Sequence, residues 1–174
     1  MTALFHVREL GITQDTLCPI TMWAWRGCCI EVFSMAEHSV ADCLISLEQA
    51  GVHIGKQARN PSASKRLKAL SACIKDNGFG GHGKAALKCI AEWERVYERR
   101  ALLAHGHITA TAEGLTIRHI TYDGTNETRL EPRPFSRDEM RDALAEIKAA
   151  QKALHDQLGQ IKSSAKHAKP SPGG

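Results

Sequence analysis

Arg99, Arg100 and His105 are the side chains of this sequence best suited to chemistry, in the run Glu98-Arg99-Arg100-Ala101-Leu102-Leu103-Ala104-His105-Gly106. A guanidinium stays charged and forks onto two phosphate oxygens. An unperturbed imidazole titrates near pH ~6.5 and therefore exchanges a proton at neutral pH. Together they suit the binding of a phosphate and the movement of a proton beside it. The run reads as the last turns of a helix, where cationic residues favour the carbonyl end and Gly106 supplies the stop through a left-handed backbone. Five positions apart on a regular helix, Arg100 and His105 diverge by about 140° and stand about 7.5 Å apart along the axis. One straight helix does not aim both at a single phosphate. Unwinding at Gly106, or a two-fold pairing of chains, would.

The elements that must position this run are mostly helical. A first long helix is expected from Pro19 to Ala50, with Gly51 closing it, after a short helical turn within Leu10 to Leu17. Ile30, Phe33, Val40, Leu44 and Leu47 recur along it at helical spacing. Trp23 and Trp25 read as core or interface anchors. Asn60-Pro61 opens a second, basic helix whose stripe is Leu67, Leu70 and Ile74 and whose end is Asn77-Gly78. The third helix is expected over Lys84 to Ala104, with Ala86, Ile90, Trp93, Tyr97, Ala101 and Ala104 on one face.

Strand periodicity then takes over. His107 to Ala112 and Leu115 to Tyr122 flank Glu113-Gly114 as a hairpin, Asp123-Gly124 marks a further turn, and Glu127 to Leu130 adds a third short strand. A last helix opens at Ser136, where Ser136-Arg137-Asp138-Glu139 is a capping box and Phe135 staples onto Met140. Met140, Leu144, Ile147, Leu154, Leu158 and Ile161 form its seam, with Gln151 the one polar member. The expected architecture is mainly α, four helices with a small β-hairpin before the last. It makes a single domain over residues 1–162, with a disordered polar tail from Ser163 to Gly174.

Composition narrows the partners. The chain has 174 residues, a length suited to one domain, and a net charge of +4 with its nine histidines neutral, a modest excess that suits an acidic partner such as RNA. No apolar run is long enough to span a membrane, and Met1 to Glu9 has no secretory character, so a cytoplasmic protein is expected. The six cysteines, Cys18, Cys28, Cys29, Cys43, Cys73 and Cys89, form no CxxC pair and read as reduced core thiols. His105-Gly106-His107 has no acidic or thiol partner nearby in sequence, so neither a metal nor a cofactor is expected. Gly78-Phe79-Gly80-Gly81-His82-Gly83-Lys84 matches GxxxxGK formally. Ala85 replaces the magnesium-binding hydroxyl and a helix precedes the loop, so it reads as a connection between antiparallel helices.

Arg100, four intervening residues and His105, at the end of the third helix of a four-helix up-and-down array, resemble the HEPN superfamily of toxin–antitoxin and abortive-infection systems. The hairpin after the motif fits the same pattern. The resemblance implies an up-and-down four-helix bundle of HEPN type and a metal-independent endoribonuclease. In it His105 is the general acid/base and Arg100 steadies the scissile phosphate, with Arg99 and His107 as RNA contacts. It further implies a homodimer with a composite cleft, RNA as substrate and a nucleotidyltransferase-like antitoxin as a partner. Many active members carry a polar residue after the motif arginine, where this chain has Ala101; read from Arg99 instead, the next residue is the polar Arg100. The other reading is a catalytically inactive module of this type that binds RNA, nucleotide or a partner protein.

Overall fold

The structure, a computed structural model, describes residues 14–123, 126–129 and 131–167. In chain order the helices are α1 (Gln14–Gln49), α2 (Ala63–Asn77), α3 (Gly80–Tyr97), α4 (Arg99–His105) and α5 (Arg137–His167). A short 3-10 turn, Lys56–Arg59, precedes α2. The strands are β1 (His107–Ala110), β2 (Gly114–Arg118), β3 (Ile120–Asp123), β4 (Asn126–Arg129) and β5 (Arg133–Ser136). The protein is mainly helical, and the described residues group into two compact units, 14–31 with 99–145 and 32–98 with 146–167.

The second of these units is a helical core. Phe33, Val40, Leu44 and Leu47 of α1 are buried, as are Leu67, Leu70 and Ile74 of α2, Ala86, Ile90 and Trp93 of α3, and Ile147, Leu154, Leu158 and Ile161 of α5. Each set recurs at steps of three, four or seven residues, so one stripe of each helix leaves water. The Phe33, Trp93 and Tyr97 rings pack tilted or edge-on with centres 5.5–6.1 Å apart, and the Tyr97 hydroxyl donates to Glu37 at 2.8 Å.

The other unit packs α4, the first turns of α5 and an antiparallel sheet of order β1-β2-β5. Ile108, Leu115, Ile117 and Phe135 are its inward side chains. Trp25 packs 6.0 Å from the Phe135 ring and donates its indole N–H to the Met140 carbonyl at 2.6 Å. Strands β3 and β4 form a separate antiparallel pair.

Several boundaries differ from the sequence expectation for identifiable reasons. Helix α1 starts at Gln14, so Pro19 lies inside it and forgoes one backbone hydrogen bond instead of opening the helix. Helix α3 starts at Gly80, so these glycines lie in its first turn and not in a loose loop; Gly83 is buried where a Cβ would collide with the Gly78 carbonyl, so its missing side chain permits that close approach. The expected third helix breaks after Tyr97, and Arg99 and Arg100 open a new seven-residue helix instead of closing a long one. Ala101, expected on the buried face, is exposed. The small hairpin is part of a three-stranded sheet, since Arg133–Ser136 joins β2 through the pairs Leu115–Phe135 and Thr116–Pro134. Pro134 is tolerated there because β5 is an edge strand.

Helix α5 continues through Ser163 and Ser164 to His167 and buries Ala165 at 3% exposure, so the tail does not begin at Ser163. Cys28 is exposed and Cys89 half-buried, whereas Cys29, Cys43 and Cys73 are core thiols as expected. Gly124, Leu130, the segment before Gln14 and residues 168–174 lie outside the described residues. No helix is long and apolar enough to cross a membrane among the described residues.

Candidate functional site

The site begins with how α4 ends. A helix leaves its last four carbonyls without intrahelical donors, and those carbonyls carry the negative pole of the helix dipole. Here the Gly106 N–H donates to the Leu102 carbonyl at 2.9 Å. The next two carbonyls are taken by one side chain: Arg26 of α1 donates Nε to the Leu103 carbonyl and Nη2 to the Ala104 carbonyl, both at 2.6 Å. The same guanidinium lies 5.7 Å from the centre of the Trp23 indole, whose residue is 54% exposed. A planar cation thus sits on the negative end of α4 and reduces its repulsion for an anion.

His105, the next residue, is exposed as the last residue of α4. Arg99 and Arg100 open the same helix and are half-buried. Because α4 is helical from Arg99 through His105, the chain does not unwind to turn His105 back toward Arg100. Their divergence of about 140° stands.

Gly106 is required for a reason other than the expected one. Its backbone is not among the left-handed glycines, but it is buried, and a Cβ there would collide with Ile117 Cγ2 and the Leu102 carbonyl oxygen. Glycine here lets β2 approach the end of α4. His107 follows as the first residue of β1, exposed and directly opposite the exposed Arg118 of β2. Directly paired residues hold their Cβ atoms about 4.5–5.5 Å apart, so an imidazole and a guanidinium share one sheet face two residues beyond His105.

The structure therefore gathers His105, His107, Arg118 and Arg26 within one unit around the α4–β1 junction. Arg26 and Arg118 are not among the residues to which the sequence alone points. Arg118 was accessible from the strand register once the hairpin was recognised. Arg26 carries no local signal, since it acts 77 residues from its nearer acceptor. No group of three or more His, Cys, Asp or Glu side chains is placed to hold a metal ion among the described residues. No protein-family model matches the chain, and the searches of curated proteins and of solved structures return no match either.

Proposed function

We propose that the α4–β1 junction is the centre of a metal-independent endoribonuclease with the four-helix organisation of the HEPN superfamily, of toxin or phage-defence type. The observation that carries this reading is an exposed His105 at a helix end whose preceding carbonyls are occupied by Arg26. Neutral His105 would take the proton of a ribose 2′-hydroxyl as its oxygen attacks phosphorus. An imidazolium would return a proton to the departing 5′-oxygen, leaving a 2′,3′-cyclic phosphate and a 5′-hydroxyl. Arg100 would hold the non-bridging phosphate oxygens, with Arg99 and His107 on the flanking backbone.

Because Arg100 and His105 diverge on one straight helix, the reading requires a homodimer in which each phosphate meets groups from both copies. The apolar seam residues Ile147, Leu154, Leu158 and Ile161 of α5 are buried within the chain and are not open for that contact. Trp23, exposed and linked through Arg26 to the end of α4, suits it better. A nucleotidyltransferase-like antitoxin and a cytoplasmic setting belong to the same proposal.

Cleavage of a labelled single-stranded RNA in EDTA tests it. His105→Ala should lower the rate by about 10²–10⁴-fold, the usual worth of acid–base assistance. Arg100→Ala should lose activity as well, with poor rescue by Arg100→Lys, because a point charge does not replace the planar fork. Wild-type rates from His105→Ala would sink the assignment, and cleavage that needs added magnesium would sink the mechanism. The divergence of Arg100 and His105, with Ala101 between them, favours a second reading: a silent module that binds RNA without cutting it. Retained binding with no cleavage by wild type would select that one.

A further inference from the structure

A second candidate site lies in the helical unit and shares no lining residue with the α4–β1 junction. Helix α2 turns a stripe of Lys65, Lys68, Ala69, Ala72, Cys73 and Asp76 toward the segment His53–Gln57, and the two enclose a groove of about 630 Å³. That volume falls within the range of about 300–1,000 Å³ typical of small-molecule sites.

The chemistry of the groove is asymmetric. Its floor is apolar and low: Ala69 and Ala72 are small, Ile54 closes the other wall, and burial holds the Cys73 thiol above its usual range, so the floor stays uncharged. Lys65 and Lys68 stand one turn apart at one end, and Lys56 of the 3-10 turn lines the same groove. Asp76 is eight residues beyond Lys68, about 12 Å along the helix axis. An anion is therefore drawn to the lysine end and repelled from the other.

The neighbouring cations are used differently. Arg59 pairs with Glu48 at 2.5 Å, and Arg66 donates to the Asn60 and Pro61 carbonyls at 2.9 and 2.8 Å. No ion pair among the described residues engages Lys56, Lys65 or Lys68. Three uncompensated ammonium groups suit a dianion better than a carboxylate, and a phosphate monoester carries close to two charges at neutral pH.

We infer that this groove binds a phosphate monoester on a compact apolar body, with the phosphate at Lys56, Lys65 and Lys68 and the body over Ala69 and Ala72. Floor and head group can be tested separately with 1-naphthyl phosphate, 1-naphthol and inorganic phosphate, titrated calorimetrically into the full chain. The monoester should bind about tenfold or more tighter than either fragment, since both halves of the groove contribute. Lys65→Glu with Lys68→Glu should weaken the monoester about tenfold or more and leave 1-naphthol unchanged. Ala72→Leu keeps a strong helix former on the exposed face of α2 while filling the floor; it should weaken the monoester and 1-naphthol alike. His105→Ala should bind as wild type does.

Circular dichroism and melting curves establish that each variant is folded before it is titrated. Equal binding of the monoester to wild type and the double-glutamate variant would overturn the inference. So would loss of binding in His105→Ala, inorganic phosphate binding as tightly as the monoester, or no heat with 1-naphthyl phosphate at millimolar concentration.

Discussion

The first turn of α5 and the last turn of α4 face the same physical problem with partners at very different separations in the sequence. At α5 the Ser136 N–H donates to Glu139 Oε2 at 2.7 Å, and the Glu139 N–H donates to Ser136 Oγ at 3.2 Å, so each of two residues three apart supplies the acceptor for the other's backbone donor. At α4 the Leu103 and Ala104 carbonyls wait for a guanidinium 77 and 78 residues earlier. The local device forms as soon as its own helix forms. The remote one requires α1 to be in place, so the end of α4, and with it His105, is only as well defined as that packing.

The largest expected effect follows from removing the remote partner. Arg26→Ala strips two charge-assisted hydrogen bonds from carbonyls that are partly buried. Bonds to charged groups are worth about 1.5–3 kcal/mol each, and partial exposure lowers that, so a total of about 2–3 kcal/mol is expected from denaturant unfolding. On the proposed ribonuclease function, RNA cleavage should fall by more than stability alone explains, because a misplacement of about 1 Å at a reacting group costs on the order of 10²-fold. Arg26→Lys should recover little of either, since one ammonium does not reach two carbonyls in a fork. If Arg26→Ala unfolds no more easily than a variant of the local cap, the contrast between the two ends is wrong.

Gly106→Ala sharpens the same contrast from the other side. A methyl group there meets Ile117 and the Leu102 carbonyl, so β2 must move away from α4. Overpacking of this kind costs about 1–3 kcal/mol. The displacement should register as a changed chemical shift at Ile117, whose methyl is the group in the way. An unchanged Ile117 signal with an unchanged melting temperature would mean that the junction is looser than its contacts imply.

The two ends also mark what the sequence reveals. The capping box was legible because its four residues are contiguous, and the stripes Leu67–Leu70–Ile74 and Ile147–Leu154–Leu158–Ile161 were legible because periodicity is a local property. Arg26 was not, because a side chain on an amphipathic helix gives no sign of which distant carbonyl it will reach. Gly106 was correctly singled out but for backbone conformation, when the cause is the approach of a strand placed by tertiary packing. The start of α3 is not legible because glycines argue against a helix, and of its first turn only Gly83 is buried with no room for a Cβ, a contact set by the chain fold at Gly78. For the candidate site, Arg99, Arg100, His105 and His107 stand out in the sequence by residue type and spacing, whereas Arg26, which occupies the carbonyls just before His105, emerges only from the fold.

A smaller effect belongs to the local cap itself. Ser136→Ala removes the acceptor for the Glu139 N–H, and loss of an N-cap hydroxyl costs about 0.5–2 kcal/mol. It should leave RNA cleavage untouched, because the first turn of α5 is stabilised by its own residues and not through Arg26. A drop in cleavage in step with Arg26→Ala would show that the two ends are coupled, and the local and remote devices would no longer be separable.

The smallest effect isolates charge at the local cap. The Ser136 backbone N–H, and then its hydroxyl, hold the Glu139 carboxyl below its ordinary value of 4.5. A carboxyl whose folded pKa is depressed binds fewer protons in the folded than in the unfolded state through the acid range, so folding gains from it above its unfolded pKa. That gain is lost as the pH falls through the folded pKa. Glu139→Gln keeps an oxygen that accepts from Ser136 but removes the charge, including its favourable position at the positive end of α5. The melting-temperature gap between wild type and Glu139→Gln should therefore be constant from neutral pH down to the ordinary glutamate range and close below it, while titration of the other acids cancels between the two proteins. Arg26 offers no such signature, since its guanidinium stays charged throughout. A gap that persists unchanged at pH 3 would mean that the carboxylate charge contributes nothing and that the box works through neutral hydrogen bonds alone.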